Sequence, residues 1–295
     1  DEEALESARA VLAGLPDGAL VVLDVLGFLA LHRPLQSHAE RLRPVGLVHH
    51  LVSEDMGLTE FLDHEIRSVE SAVAAKCSGV IVTSPYTAER LKLLGVPEKK
   101  VRTVAPGTKR ATPARGPALG KPPALLCVGS VVPRKGQDVL VRSLARLRDE
   151  PWICVCAGSL ERDPEYSAAV LRLVEASGLE GRVLFPGECG EDELDSLYDG
   201  SSLFVLPSLY EGYGMSIAEA LARGIPVVST TAGAIPFTAP SEAALLVPPG
   251  DGEALTLALG RAIREPSLRS ALSAAALRHA ATLPDFETSA RLFAA

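Results

Sequence analysis

Short apolar runs alternate with amphipathic stretches over residues 124–230. The clearest amphipathic stretch is 138–148, where Leu140, Leu144 and Leu147 fall on one helical face and arginines point elsewhere. Short apolar strands that alternate with helices predict βαβ units, and therefore the doubly wound α/β architecture, a parallel sheet covered on both faces. The apolar runs are ALLCVG (124–129), WICVCAG (152–158), RVLFPG (182–187), SLFVLP (202–207) and IPVVST (225–230).

The first third of the chain shows the same alternation over a shorter length. Helical stretches at about 59–77 and 85–95 separate its last three apolar runs, and Ser84 or Thr87 is placed to cap the second of these helices. We therefore expect a second α/β domain. Its strand candidates are ALVVLD (19–24), VGLVH (45–49), GVIVT (79–83) and VRTVA (101–105).

A segment of linker composition separates the two halves. Residues 106–123 hold five prolines and three glycines. We predict two domains, over 1–118 and 119–280. The chain ends with LPDFETSARLFAA, which predicts a C-terminal helix within 281–295 that could pack on either domain, including back on the first.

Composition excludes several classes of protein. The chain has 295 residues, enough for two domains with separate cores, and a net charge of −8, which argues against a surface that coats nucleic acid. No apolar run approaches the roughly 20 residues of a membrane span, and the acidic start DEEALESARA is unlike a secretory signal.

The cysteines indicate a reducing compartment. An odd number cannot all pair, and Cys154 and Cys156 have the spacing of a strand and not of a CxxC metal or redox site. We predict a cytoplasmic protein with no structural metal. The five cysteines are Cys77, Cys127, Cys154, Cys156 and Cys189.

Glycines and charged residues cluster in the loops that follow the predicted strands. Ligands of doubly wound sheets bind outside the carboxyl ends of the strands, so these loops predict a binding site. The selected loops are 129–137, 158–163, 186–190, 207–215 and 230–236.

The first of these loops, GSVVPRKGQD, has the features of a diphosphate site. Gly129 directly follows a strand and allows close approach to the backbone, and Arg134 and Lys135 are adjacent cations just before a helix. The alternative is that these cations lie in a solvated basic turn. The position of the loop GSVVPRKGQD among the other polar loops favours the diphosphate site.

The loop and helix in SLYEGYGMSIAEA contain two glutamates of different character. Ser216 and Glu219 fit a capping box, with serine at the N-cap and glutamate at N3, which by itself explains the position of Glu219. Glu211 has no helix to cap. Because it lies beside Gly212 and faces a site with cations, we expect it to bind the hydroxyls of a ligand.

Two further features leave alternatives open. His49 and His50 end a strand of the first domain, where a histidine is either structural or on the acceptor side of the site. Residues 92–121 contain eight basic residues and one acid, Glu98, which indicates either a solvated hinge surface or a surface for weak contact with an anionic membrane or a phosphorylated acceptor.

The ordered set of motifs resembles the C-terminal domain of family 4 retaining glycosyltransferases of the GT-B fold. The set comprises VGSVVPRKGQDVLVRSL, a Glu-x7-Glu element, EALARGIPVV, a Gly-containing loop and ALLVPPGD, and it covers about 119–265. The resemblance implies two doubly wound, Rossmann-type domains that face a cleft, an acceptor-side domain over 1–118 and a nucleotide-sugar donor-binding domain over 119–280. The first is expected to be incomplete, because the family's opening strand and Gly-rich loop have no counterpart in the sequence.

The resemblance also implies roles for individual residues. Arg134 and Lys135 would contact the donor diphosphate, Glu211 the hydroxyls of the transferred sugar, and Glu219 the ribose. One of His49 or His50 would lie beside the reacting sugar carbon. The remaining donor-binding candidates are Gly129, Ser130, Gly187, Gly212, Tyr213, Gly214, Met215, Ser216 and Ile217.

The implied function is transfer of a sugar, with retention, from a nucleotide-sugar to an acceptor hydroxyl, in carbohydrate biosynthesis. The site would use neither metal nor cofactor, since no Asp-x-Asp is present. The expected partners are a UDP- or GDP-sugar and a sugar, lipid-linked or small-molecule acceptor, in the cytoplasm or at the inner face of the membrane. The alternatives are a nucleotide-sugar epimerase or hydrolase, and a catalytically idle subunit that binds nucleotide-sugar. TAGAIPFTAP lacks the acidic residue that often follows the glycines of this loop in the family.

Overall fold

The computed structural model describes residues 2–54 and 60–295, which form two compact units. Unit 1 extends to Pro106 and includes Ser289–Ala295, and unit 2 comprises Gly107–Thr288. No helix within the described ranges is long and apolar enough to cross a membrane.

Unit 1 is a four-stranded parallel sheet with connecting helices. Its strands are β1 (Leu20–Asp24), β2 (Arg43–Val48), β3 (Gly79–Val82) and β4 (Val101–Thr103), and its helices are α1 (Glu2–Gly14), α2 (Phe28–Gln36), α3 (Glu60–Lys76) and α4 (Pro85–Leu93). The strands lie in the order β1-β2-β3-β4, so each crossover places the next strand beside the previous one. Residue 59, where the predicted helix begins, lies outside the described residues.

The two faces of β1 differ, as the period of a strand requires. Leu23 is buried in the core of unit 1 together with Phe28 and Val48, whereas Leu20 is 63% exposed and Val22 is also exposed. The core of this unit therefore lies on one face of β1. At the end of β3, Ser84 caps α4 as predicted, and its side chain accepts a hydrogen bond from the Thr87 amide at 3.2 Å.

Unit 2 is a six-stranded parallel sheet that is wound in both directions from its centre. Its strands are β5 (Ala124–Val128), β6 (Ile153–Ala157), β7 (Val183–Gly187), β8 (Leu203–Leu206), β9 (Val227–Thr230) and β10 (Ala244–Val247). The spatial order is β10-β9-β8-β5-β6-β7, so the chain builds one side from β5 to β7 and then returns to the other side of β5. The strand order reverses between β5 and β8.

Helices connect the strands of unit 2 and close the chain. They are α5 (Gln137–Ala145), α6 (Pro164–Ala176), α7 (Glu191–Asp199), α8 (Met215–Ala222), α9 (Ile235–Thr238), α10 (Gly252–Arg264), α11 (Pro266–Ala280) and α12 (Phe286–Ala294). The last of them, α12, includes residues of both units. The five apolar runs from 124 to 230 are all strands, and β10 is a further strand inside the motif ALLVPPGD.

The proline-rich segment that follows Pro106 belongs to unit 2. The boundary lies at 106/107 instead of the expected 118/119. Lys109 forms ion pairs with Glu191 and Asp195, at 2.6 and 3.1 Å, and Arg115 pairs with Asp199. These contacts bind the segment to α7, which proline content alone does not reveal. They also neutralise part of the expected basic surface.

The core of unit 2 is formed by aliphatic residues and free thiols. Cys127 and Cys156 lie opposite each other on β5 and β6, fully inside the sheet. Contact with the Cys156 thiol, together with burial, raises the pKa of Cys127, which therefore stays protonated. All five cysteines are free. The single tryptophan, Trp152, is 2% exposed in the same core and reports on the folding of unit 2 alone.

Candidate functional site

The loops after β5 and β8 flank the point at which the strand order of unit 2 reverses. Such a switch point opens a crevice at the carboxyl ends of parallel strands, where ligands bind. The first loop carries Arg134 and Lys135 and the second carries Glu211. The structure therefore brings together three residues that the sequence singled out.

Lys135 and Glu211 form a largely buried ion pair, with 15% and 7% of the two side chains exposed. The Lys135 Nζ lies 2.6 Å from Glu211 Oε1, and the same oxygen accepts a hydrogen bond from the Ser208 hydroxyl at 2.7 Å. Glu211 is only 6% exposed. Arg134 Nη1 lies 3.7 Å from the other carboxylate oxygen and donates to the Tyr210 carbonyl at 3.0 Å. Two cations thus converge on one carboxylate.

This ion pair corrects one inference from the sequence. Glu211 caps no helix, as expected, but it has a structural partner: with Lys135 it holds the loop after β8 against the loop after β5. A backbone hydrogen bond of 2.8 Å from the Leu209 amide to the Arg134 carbonyl joins the same loops. A test of Glu211 must therefore separate its contribution to folding from its contribution to ligand binding.

The glycines of the first loop permit its close packing. A Cβ on Gly129 would lie 3.3 Å from Lys135 Cε, so the lysine stem passes over this glycine. Gly136 has φ +70°, and a Cβ there would lie 2.5 Å from the Pro207 carbonyl oxygen. The Ser130 carbonyl accepts a hydrogen bond of 3.0 Å from Gln137 Nε2. These contacts fix Lys135 in the direction of Glu211.

The loop after β9, which contains Gly233, packs against the backbone of Glu211. The Ala234 amide donates to the Glu211 carbonyl at 2.8 Å, and Gly233 has φ +54°. A Cβ at Gly233 would lie 2.3 Å from that carbonyl oxygen, a distance that requires the backbone to move. Gly233 therefore lets the loop after β9 pack directly against the backbone of Glu211.

Gly233→Ala is expected to destabilise unit 2 by about 2–3 kcal/mol, because it combines an unfavourable backbone conformation with a backbone clash. Urea unfolding followed by Trp152 fluorescence measures the change. The matched control is Gly178→Ala, whose φ is +64° and whose added Cβ meets nothing within 4 Å. It should cost only about 1 kcal/mol. Equal losses in the two variants would contradict the clash.

The predicted capping box at the start of α8 is wrong. The helix begins at Met215 and its N-cap is Gly214, which has the left-handed conformation and makes no side-chain capping bond. Ser216 therefore lies inside the first turn. Glu219 Oε2 instead accepts a hydrogen bond from the hydroxyl of Tyr198 at 2.9 Å.

The other donor-binding candidates differ in what they offer a ligand. Met215 has an exposed side chain, whereas the Ile217 side chain is buried and its amide donates to the Gly214 carbonyl at 3.0 Å. The carbonyl of Tyr213 accepts a hydrogen bond from the Thr238 hydroxyl. The residues Gly212, Tyr213, Gly214, Met215 and Ser216 follow one another from Glu211 to the first turn of α8, and Gly187 ends β7.

The carboxyl ends of the strands in unit 1 carry a second polar group. His49 follows β2, and its Nε2 lies 2.7 Å from Oδ2 of Asp24, which ends β1. The Thr83 hydroxyl donates to the His49 carbonyl at 2.8 Å. His50 is partly exposed.

Asp24 was missed from the sequence, although it ends the first apolar run much as His49 ends the next. Burial by itself would raise the pKa of Asp24, but hydrogen bonds from the Leu26 amide and His49, with the charges of His49 and His50, lower it overall. Asp24 is therefore a carboxylate at neutral pH and holds one nitrogen of the His49 ring.

Within residues 2–54 and 60–295, no group of three or more histidine, cysteine, aspartate or glutamate side chains is arranged to hold a metal ion.

The fold and the polar loops at its switch point define a class of protein. Parallel sheets in two Rossmann-like units are the architecture of GT-B glycosyltransferases. Sucrose-phosphate synthase from Thermosynechococcus elongatus matches with a TM-score of 0.81 and 28% identity, over 98% of this chain and 75% of that one. The Anabaena protein Alr3699/HepE, in complex with UDP and glucose, matches in fold with a TM-score of 0.82 and 18% identity, over 99% of this chain and 80% of that one.

The family model described as glycosyl transferases group 1 matches residues 109–279, and the chain belongs to this family. A D-inositol 3-phosphate glycosyltransferase of Saccharomonospora viridis is 31% identical over 72% of this chain and 53% of its own length. A lipopolysaccharide core biosynthesis mannosyltransferase, LpcC, of Rhizobium leguminosarum bv. viciae is 36% identical over 52% of this chain and 44% of its own length. The chain thus spans about half the length of these two relatives.

Proposed function

We propose that this chain is a retaining glycosyltransferase, of the type grouped as family 4, that moves a sugar from a nucleotide-sugar to an acceptor hydroxyl without a metal ion. The observation that carries the proposal is the convergence of Arg134 and Lys135 on Glu211 at the switch point of unit 2. Cations and a carboxylate side by side match a ligand with a diphosphate and a sugar.

The proposed chemistry follows from where charge develops. When the bond between the sugar carbon and the diphosphate breaks, the leaving nucleoside diphosphate gains negative charge. Arg134 and Lys135 are already held in place by protein contacts, so they can stabilise that charge with little reorganisation. The first turn of α8 adds a positive dipole end. In this proposal, these groups stabilise the leaving diphosphate in place of a metal ion.

Glu211 and Glu219 have separate roles in this proposal. Glu211 accepts hydrogen bonds from hydroxyls of the transferred sugar, and Lys135 is then shared between this carboxylate and the diphosphate. Glu219 binds the ribose hydroxyls of the nucleotide. The sequence offered helix capping as an alternative explanation for Glu219. The structure removes that alternative, because α8 has no side-chain cap, and this supports a ligand role.

A uracil nucleotide is the first candidate donor, since a protein of the same fold is known in complex with UDP and glucose. A GDP-sugar is the second. The relatives are named for a phosphorylated inositol and for lipopolysaccharide core, so the acceptor classes to test are a small polyol phosphate and a lipid-linked sugar. We place the reaction in the cytoplasm, with the inner membrane face as the site for a lipid-linked acceptor.

Unit 1 supplies the acceptor side in this proposal. Its Asp24–His49 pair lies at the carboxyl ends of two neighbouring strands, where a sheet of this type binds ligands. A carboxylate that holds one ring nitrogen of His49 leaves the other ring nitrogen to contact a hydroxyl. His49, in preference to His50, is therefore assigned to the reacting sugar.

Binding of a nucleotide-sugar is expected to raise the unfolding temperature of unit 2. At a ligand concentration 100 times the dissociation constant, the free energy of unfolding rises by about 2.7 kcal/mol. A thermal-shift screen with UDP-, GDP- and ADP-sugars, read by Trp152 fluorescence, measures this effect. No shift with any of them would contradict the proposal.

NMR analysis of the products then distinguishes the three activities. A new α- or β-glycoside of unchanged anomeric configuration supports the retaining transferase. Free sugar or an epimerised sugar nucleotide identifies a hydrolase or an epimerase. Tight binding without turnover against either acceptor class identifies an idle binding subunit.

A further inference from the structure

Tyr198 is a buried tyrosine whose hydroxyl reaches the candidate nucleotide site. It lies on α7, is 1% exposed, and stacks on Phe204 with ring centroids 6.1 Å apart. Its hydroxyl lies 2.9 Å from Glu219 Oε2 and 3.2 Å from the Ser216 carbonyl oxygen, both on α8. The side chain of Tyr198, in the core beneath α7, thus forms a hydrogen bond with Glu219 on α8.

The direction of this hydrogen bond is defined by the environment of the phenol. Burial, and then the charge of Glu219, raise the pKa of Tyr198 well above its usual value. The hydroxyl therefore stays protonated across the neutral range. Of its two neighbours, the charged and nearer carboxylate is the stronger acceptor, so Tyr198 donates to Glu219.

A second residue supports the same arrangement. The guanidinium of Arg223 lies 4.6 Å from the centre of the Tyr198 ring, and its Nη1 donates to the Glu219 main-chain carbonyl at 3.1 Å. Arg223 is itself paired with Asp195 on α7. The backbone and one carboxylate oxygen of Glu219 are therefore both tied to residues packed between α7 and α8.

The other carboxylate oxygen is left for a ligand. In the part of the chain that the structure describes, Glu219 Oε1 accepts no hydrogen bond from the protein, and the side chain is only partly buried. A carboxylate fixed through one oxygen keeps the second in a constant direction. A flexible surface glutamate would instead lose side-chain entropy on binding a ligand.

We propose that Tyr198 is a positioning residue for nucleotide recognition: its hydroxyl holds Glu219 through Oε2, so that Oε1 accepts from a hydroxyl of the ribose. The inference rests on the proposed function, because it takes Glu219 as the ribose-binding residue. It adds a specific consequence. Discrimination between ribose and 2′-deoxyribose depends on a hydroxyl that does not touch the ligand.

The test is the ratio of two dissociation constants. Isothermal titration calorimetry of the full chain with UDP and 2′-deoxy-UDP, and with the matching GDP and ADP pairs, measures how much the 2′-hydroxyl contributes. A hydrogen bond to a carboxylate predicts a preference for the ribonucleotide of roughly 10- to 100-fold in the wild type. Tyr198→Phe keeps the ring contacts and should reduce that preference by roughly 5- to 10-fold.

A double-mutant cycle separates positioning from packing. Glu219→Gln should reduce the preference on its own, and Tyr198→Phe should change it no further in the Glu219→Gln background, because the hydroxyl acts through the carboxylate. The matched control is Tyr166→Phe. It deletes a hydroxyl that donates to Asp138 at 2.7 Å in the same unit, and it should leave the ribose preference unchanged.

The outcomes are distinct. If Tyr198→Phe weakens ribo- and deoxyribonucleotide binding by the same factor, or keeps the wild-type preference, Tyr198 is a packing residue and the inference is overturned while nucleotide binding stands. If the wild type binds none of the three nucleotides, the proposed function fails and the inference fails with it. Loss of the preference in Tyr198→Phe alone and in Glu219→Gln supports the inference.

Discussion

Glu211→Gln is expected to reduce turnover by roughly 10²–10³-fold, the scale of losing one preorganised charged contact in an active site. Glutamine keeps the shape and can still accept from the Ser208 hydroxyl, but it removes the negative charge that holds Lys135 and that, in the proposed function, accepts from the sugar hydroxyls. Steady-state assays of sugar transfer give kcat and kcat/KM for both proteins. We expect the loss mainly in kcat.

The matched control for this variant is Glu242→Gln. Glu242 is an exposed glutamate in the turn just before β10, at the amino ends of the strands and therefore on the edge of the sheet opposite the site. It should retain wild-type kinetics. Turnover of Glu211→Gln within about threefold of the wild type would remove Glu211 from the catalytic machinery.

Lys135→Met is expected to destabilise unit 2 by about 3 kcal/mol, near the lower limit for removing one partner of a buried ion pair. The value is at the lower limit because Arg134 and Ser208 still contact the carboxylate of Glu211. Urea unfolding read by the fluorescence of Trp152, the single tryptophan, reports this change for unit 2 alone.

The double variant Lys135→Met/Glu211→Gln separates folding from function. Neither new side chain is charged, and the glutamine still accepts from the buried Ser208 hydroxyl, so stability should return to within about 1 kcal/mol of the wild type. Turnover should stay as low as in either single variant, because both charges are gone. Recovery of activity together with stability would show that the pair acts only in folding. Lys121→Met, at an exposed linker position, is the control for lysine replacement.

The position of the charged cluster could be predicted from the sequence because it depends on a general property of parallel sheets. The carboxyl ends of all strands meet at one edge, so residues that follow different strands become neighbours without further information. Lys135 therefore meets Glu211, 76 residues later in the chain, and Arg134 lies beside the same carboxylate. The same reasoning could have found Asp24 beside His49, because Asp24 ends β1 and His49 follows the adjacent strand β2.

The expected capping box depended on one residue of helix register. Gly214 adopts the left-handed conformation and becomes the N-cap, so the helix starts before Ser216 can cap it. Glycine suits this position because its φ is +90° and because Cδ1 of Ile217, in the first turn of the same helix, would lie 3.2 Å from an added Cβ. The sequence SIAE satisfies the local rule and still makes no box, because the helix has already begun at Met215.

The sequence by itself determined the class of fold, the strands of both sheets apart from β10, and the loops that carry the charged residues. It could do so because hydrophobic period and strand ends are local properties of the chain. Tertiary structure alone decided which partner each of these residues has. Glu211 is buried against Lys135, and Glu219 accepts a hydrogen bond from Tyr198 on α7 instead of capping the start of α8. These pairings depend on how one loop or helix packs on another. Tyr198 and Glu219 are 21 positions apart, so the local sequence carries no signal of their contact.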